Sequence, residues 1–236
     1  LEATQMMKLA AETALQIGDS EFAVQIQGRL AFSQLFLGLV DEAVGVANSI
    51  LVGDTPESRK SPAWCLGAGS AAGVLARVAL SGREFKESRR LTGLAQEYKL
   101  LAGDIVGSWL AKLAEGNTCF FSGDLSSADD IYTEVSAELS NIGFRYGAAQ
   151  AEINLADVNL LRGNIDKSLS LSTKAESVFR GLRAVPDLVE VLRIQTETYL
   201  KLGNQQDALR TADEALRLAR EKEITHAVEG LEALLK

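Results

Sequence analysis

Five short glycine-centred turns recur along the 236-residue chain, and their spacing restricts it to one kind of architecture. They read Leu37-Gly38-Leu39, Ser81-Gly82-Arg83, Ser122-Gly123-Asp124, Arg162-Gly163-Asn164 and Leu202-Gly203-Asn204, with the glycines 44, 41, 40 and 40 residues apart. Self-similarity at such a period marks stacked supersecondary repeats. A pair of small residues twelve apart brackets each turn: Ala31/Ala43, Ala76/Ser88, Gly116/Ala128, Ala156/Ser168 and Thr196/Ala208. Two antiparallel helices joined by a tight turn bring such positions face to face. Small side chains there let the backbones approach at the short end of the roughly 8–10 Å interaxial range. In three units another small residue follows seven further on, at Ala95, Ala175 and Ala215, where a second helix meets the first helix of the next unit.

The segments between turns have helical periodicity. Residues 187–201 place Leu188, Val191, Leu192, Ile194 and Leu200 at spacings of three and four, and residues 205–221 repeat the pattern with Ala208, Ala212 and Leu216. Strand-like alternation is absent. A second set of breaks separates the units, at Gly18-Asp19, Gly53-Asp54-Thr55-Pro56, Gly103-Asp104, Asn141-Ile142-Gly143 and Ala184-Val185-Pro186. Ser61-Pro62 and Pro186-Asp187 have the chemistry of helix starts. The expected fold is therefore all-α, a right-handed superhelical α-solenoid of about twelve antiparallel helices. It comprises five pairs, a leading second-type helix (about 2–17) and a trailing first-type helix (about 224–235). No unit buries its apolar face alone, so stacking supplies the core. No flexible linker divides the chain, and residues 1–236 are expected to form a single domain.

Composition narrows the function classes. Lys and Arg number 24 against 32 Asp and Glu, a net charge of −8, which argues against a phosphate-binding surface for nucleic acid. No run of 18 uninterrupted apolar residues occurs, so no membrane span is expected. Two cysteines, Cys65 and Cys119, are too few for a disulfide scaffold and fit a reducing, cytoplasmic setting. The chain opens on Leu1 without a signal peptide, as a fragment of a longer protein would.

Helix–turn–helix units with Gly-Asp or Gly-Asn turns and small residues at these offsets resemble tetratricopeptide repeats over the whole chain. The period near 40, against the familiar 34, resembles the lengthened arrays of bacterial signal-transduction ATPases and maltose-activator-like transcription regulators. The segments 151–164 and 201–209 carry the likeness. The bulky aromatic common early in the first helix is mostly absent, and unit two has an extra residue in its turn. HEAT and armadillo repeats share the period but lack the paired small residues around such a turn. The resemblance implies a module without catalysis or cofactor, whose first helices line a concave face holding a protein, a peptide or a small effector. The positions that match the groove row are Gln25, Phe32, Phe36, Arg77 and Asn117 in the apolar, glycine-dented N-terminal half (with Gly28 and Gly73). Asp157 and Arg193, with Glu190 and Glu197, occupy the charged C-terminal half. A hydrophobic pocket beside an Arg and an Asn suits a carboxylate-bearing ligand or an extended peptide. The alternative is a scaffold that self-associates, for example as a homodimer, through apolar solenoid ends at residues 1–17 and 224–236.

Other motifs resolve against catalysis. Gly67-Ala-Gly-Ser-Ala-Ala-Gly73 has a dinucleotide-loop spacing, but no strand precedes it and no βαβ unit follows, so it reads as the first helix of unit two. Its three glycines cost that helix about 2–3 kcal/mol, which close packing or a ligand-accessible dent should offset. Cys65 and Cys119 read as buried thiols, and His226 as a helix-surface histidine without a metal partner. Asp124, Asp129 and Asp130 lack calcium-loop spacing. The segment 53–62 reads as an exposed insertion, in which Thr55-Pro56 and Ser61-Pro62 have the form of phosphosites.

Overall fold

The computed structural model describes residues 2–235, the side chain of His226 excepted, so expectations for that side chain and for Leu1 fall outside the described residues. Twelve α-helices and one 3-10 turn (Ser58–Lys60) make up the described chain, and no strand occurs among its residues. The helices are α1 (Glu2–Gln16), α2 (Ser20–Phe36), α3 (Val40–Leu51), α4 (Pro62–Ser81), α5 (Phe85–Leu101), α6 (Ile105–Ser122), α7 (Leu125–Asn141), α8 (Arg145–Leu161), α9 (Ile165–Leu182), α10 (Val185–Lys201), α11 (Gln205–Glu221) and α12 (Thr225–Leu234). They gather into two compact units, Leu1–Asp124 and Leu125–Lys236.

A left-handed residue ends nearly every helix, and these residues set the period. They fall at 83, 103, 123, 143, 163, 183, 203 and 223, one every twenty residues, after an earlier pair at 18 and 38. The break between 38 and 83 is the insertion, which shortens α3 and adds five residues to two helical periods. In unit two the left-handed residue is Arg83 (φ 59°), while Gly82 has φ −77°, so the extra turn residue displaced the glycine from the position that needs it. A non-glycine side chain there costs about 1 kcal/mol. Arg83→Gly is accordingly expected to raise Tm by about 1–3 °C in a thermal melt.

Side-chain caps close some of the helix starts. Asp19 Oδ1 accepts from the Phe22 N–H at 3.0 Å, Ser61 Oγ from Trp64 at 3.2 Å, and Asp104 Oδ1 from Gly107 at 2.8 Å. All ten of the paired small residues are buried. Ser88 Oγ donates to the Ala76 carbonyl at 3.0 Å, which places that pair face to face. The second helices meet the next first helices thirty residues on. Buried hydroxyls pair there at Ser88 and Thr118 (2.9 Å) and at Ser168 and Thr198 (3.4 Å), whereas Ala128 and Val158, equally spaced and equally buried, are both apolar.

In the first unit α2 and α4 touch backbone to backbone. A Cβ on Gly28 would lie 2.5 Å from the Gly67 carbonyl oxygen, and one on Gly67 would lie 2.3 Å from that of Val24. Gly28 is therefore a packing residue rather than a dent. Gly73, by contrast, has no heavy atom within 4 Å of its Cβ position and leaves open space. Helix α4 is long and apolar enough in composition to pass for a membrane span, with a mean hydropathy of 1.4, although it holds no uninterrupted apolar run of 18 residues. It packs against α2, α3 and α5, and 56% of that stretch is buried.

The insertion is held down rather than loose. Arg59 forms a two-point pair with Asp54 (2.7 Å each), reaches Glu97 on α5 at 2.5 Å, and stacks 5.2 Å from the Tyr98 ring. The Arg59 guanidinium holds Asp54 below the usual carboxylate range, and burial pushes the Tyr98 phenol up. Ser61 is buried and donates to Glu21 Oε2 at 2.6 Å, so of the two proposed phosphosites only Thr55 is exposed.

Candidate ligand-binding surface on the first helices

Within the first unit the residues assigned to the groove fall on one side of their helices. Phe32 and Phe36 lie seven and eleven residues beyond Gln25 on α2, spacings that return to one helical face, and Arg77 lies on α4. Phe32 and Phe36 stack tilted with ring centroids 4.9 Å apart. The Arg77 guanidinium carbon sits 5.9 Å from the Phe32 ring and 5.4 Å from the Phe36 ring. Both rings are exposed, at 41% and 67%, as is Arg77. Among the described residues no carboxylate pairs with Arg77, so its charge is offset by ring faces alone. Gln25 lies two turns back, about 10 Å along the helix. Asn117, half-buried on α6, already has an interaction of its own and is not a free donor.

The second unit brings Asp157 and Arg193 together, but closes them on themselves. Arg193 Nη2 lies 3.5 Å from Asp157 and 2.7 Å from Glu190, and Nη1 lies 3.5 Å from Glu197, which also meets Lys201 at 3.3 Å. Tyr146 donates to Asp187 at 3.1–3.2 Å and accepts from Gln150 at 3.1 Å. Burial raises Asp157 above the usual carboxylate range despite the Arg193 charge. A raised carboxylate favours the fold while protonated and forfeits that advantage as pH rises. Asp157→Asn is therefore expected to keep or raise stability at pH 7 relative to wild type. That difference should vanish in acid, where Asp157 is itself neutral, as urea midpoints at the two pH values would show.

Both thiols are buried, and burial pushes Cys65 and Cys119 up, away from reactivity. No group of three or more His, Cys, Asp or Glu residues with metal-holding geometry occurs among the described residues. Sequence reasoning missed two features of the first unit: the Arg59 clasp, signalled by the 44-residue interval, and Lys99, signalled by Gly69.

No protein-family model matches the chain, and no curated protein sequence does. Solved structures match it in fold. BtubC (BKLC) from P. vanneervenii superimposes with a TM-score of 0.71 at 14% identity, over 94% of this chain and 90% of that one. The Rap conjugation gene regulator of plasmid pLS20, solved with the Phr* peptide, gives 0.68 at 15%, over 91% and 57%. A Signal Transduction ATPase with Numerous Domains from Pyrococcus horikoshii, which has a tetratricopeptide repeat sensor, gives 0.71 at 17%, over 99% and 38%. The chain thus spans little more than half of the Rap regulator and about two fifths of the ATPase.

Proposed function

We propose that this chain, a tetratricopeptide-type repeat array in fold, is a non-catalytic binding module of a cytoplasmic regulatory protein, acting over residues 1–236 as one domain. The first-helix surface takes a peptide, a protein segment or a small effector. The observation that carries the reading is the exposed Phe32–Phe36–Arg77 cluster, because an unpaired guanidinium on two exposed rings offers apolar area and a charge to the same ligand. Gln25 and Asn117 extend that surface in the first unit. Asp157 and Arg193 carry the corresponding row in the second, where ligand binding must displace internal ion pairs. Two of the fold relatives support the regulatory setting, one being a gene regulator solved with a peptide and the other an ATPase with a repeat sensor.

A display library of extended peptides selected on the immobilised chain tests this. Selected peptides are expected to lose about tenfold in affinity in Arg77→Ala. The same substitution should move Tm by less than about 3 °C, as for an exposed residue. Equal binding by the variant, or no selectable peptide, contradicts the reading.

The scaffold alternative has its own observation. Met6, Leu9, Ala10, Thr13, Ala14, Ile17 and Phe22 line an open apolar groove of about 360 Å³. In the twenty-residue register Ala10 corresponds to Ala95, Val135, Ala175 and Ala215, which are all buried, whereas Ala10 is exposed. A concentration-dependent dimer in sedimentation, with no peptide selected, would favour that alternative.

A further inference from the structure

Helices α2 and α4 and the turn from α5 to α6 frame an open depression of about 90 Å³ in the first unit, lined by Gln25, Arg29, Leu66, Ser70, Lys99 and Asp104. Its charges do not balance, since two cations face one carboxylate. Lys99 reaches the depression because α4 has no side chain in its path. A Cβ at Gly69 would stand 3.1–3.2 Å from the Lys99 Cγ, Cδ and Cε atoms, so the lysine stem lies across the glycine. Only 17% of that side chain is exposed. Its ammonium lies 3.4 Å from Ser70 Oγ and 3.3 Å from Asp104 Oδ2, both long against the roughly 2.7–2.9 Å of a charge-assisted hydrogen bond. An ammonium carries three donors, and these two contacts leave one unused.

The other donors are equally unspent. Arg29 has five N–H groups and, among the described residues, no carboxylate partner, and the Gln25 amide has no partner either. On the acceptor side, one Asp104 oxygen is already taken by the Gly107 N–H at 2.8 Å. The walls thus present an excess of N–H donors and one net positive charge.

We infer that this depression binds a small oxyanion, a phosphoryl or carboxylate group, held by Arg29 and Lys99 with Gln25 and Ser70 as neutral partners. The site shares Gln25 with the proposed first-helix surface, but its charged groups, Arg29 and Lys99, lie outside that surface, and it does not depend on Phe32, Phe36 or Arg77 binding anything. Phosphate and carboxylate offer the same acceptor chemistry here, and the titration below separates them.

The test is an amide NMR titration of the chain with sodium phosphate and with sodium acetate, each exchanged against sodium chloride at constant ionic strength. Saturable shifts are expected at residues 66–70 and 104–107, and tighter saturation by one of the two anions assigns the group. Arg29→Gln, at an exposed position with no partner to lose, should weaken binding about fivefold or more. Asp104→Asn keeps the helix cap and removes the opposing charge, so it should strengthen binding several-fold, which a merely structural aspartate would not do. Shifts that grow linearly without saturating, that chloride reproduces, or that survive Arg29→Gln unchanged would overturn the assignment.

Discussion

Gly67→Ala is expected to lower stability by about 2–3 kcal/mol, a fall in Tm of roughly 5–10 °C, although alanine is the better helix former. The added methyl would sit 2.3 Å from the Val24 carbonyl oxygen and 2.6 Å from its carbon, on the backbone of another helix that cannot swing aside. The helices α2 and α4 must part, and the overpacking exceeds the propensity gain of about 1 kcal/mol. Gly73→Ala, six residues along the same helix, is the control. Its Cβ meets nothing within 4 Å, so the propensity gain stands alone and stability should rise by about 1 kcal/mol. Thermal melts of the two variants give opposite signs if the contact is as described. Parting of α2 from α4 also carries Arg77 away from Phe32 and Phe36, so Gly67→Ala should weaken ligand binding as well.

Lys174→Met is expected to cost about 2–3 kcal/mol, less than the roughly 3–5 kcal/mol found when a fully buried pair loses one partner. Glu152 is 3% exposed at the centre of the second unit, and its carboxylate is met by the Lys174 ammonium and by the Ser136 hydroxyl at 3.3 Å. Without the lysine the carboxylate keeps one hydroxyl and no counter-charge. The Lys174 side chain is two-thirds exposed, and water reaching the vacated position places the loss below the upper end of such effects. Replacing both residues with methionine should recover most of the stability, because the cost lies in the orphaned charge. Urea midpoints of the single and double variants measure the difference.

The sequence carried the helices more fully than the surface. Turn glycines and paired small residues are backbone requirements, so they are written as residue types at fixed spacing, and all ten pair members are buried as expected. The helix bounds at residues 187–201 and 205–221 agree with α10 and α11 within two residues. Two readings failed where one residue type serves three purposes. Glycine marks a left-handed turn, a close approach or open space, and spacing alone could not separate Gly28 and Gly67, in contact, from Gly73, in the open. Nor could it show that Gly82 had yielded the left-handed turn to Arg83. The groove row gathered Phe32, Phe36 and Arg77 because helical register alone fixes which residues share a face. It could not show that Arg193 would be held by three carboxylates, since ion pairs between neighbouring helices depend on rotamers and on how closely the helices pack. Lys99 escaped notice because it belongs to a second helix, outside the groove row, and reaches the first-helix side only across Gly69.

The claim that the first-helix surface of the first unit is a ligand site is tested most directly by native mass spectrometry of the purified chain, compared with the denatured chain and with a Phe32→Ala, Arg77→Ala double variant. A mass adduct that leaves on denaturation and is missing from the folded double variant is the predicted result, and its mass would name the ligand class. An adduct retained by the double variant, or bare wild-type chain that stays bare after incubation with the selected peptides, would contradict it.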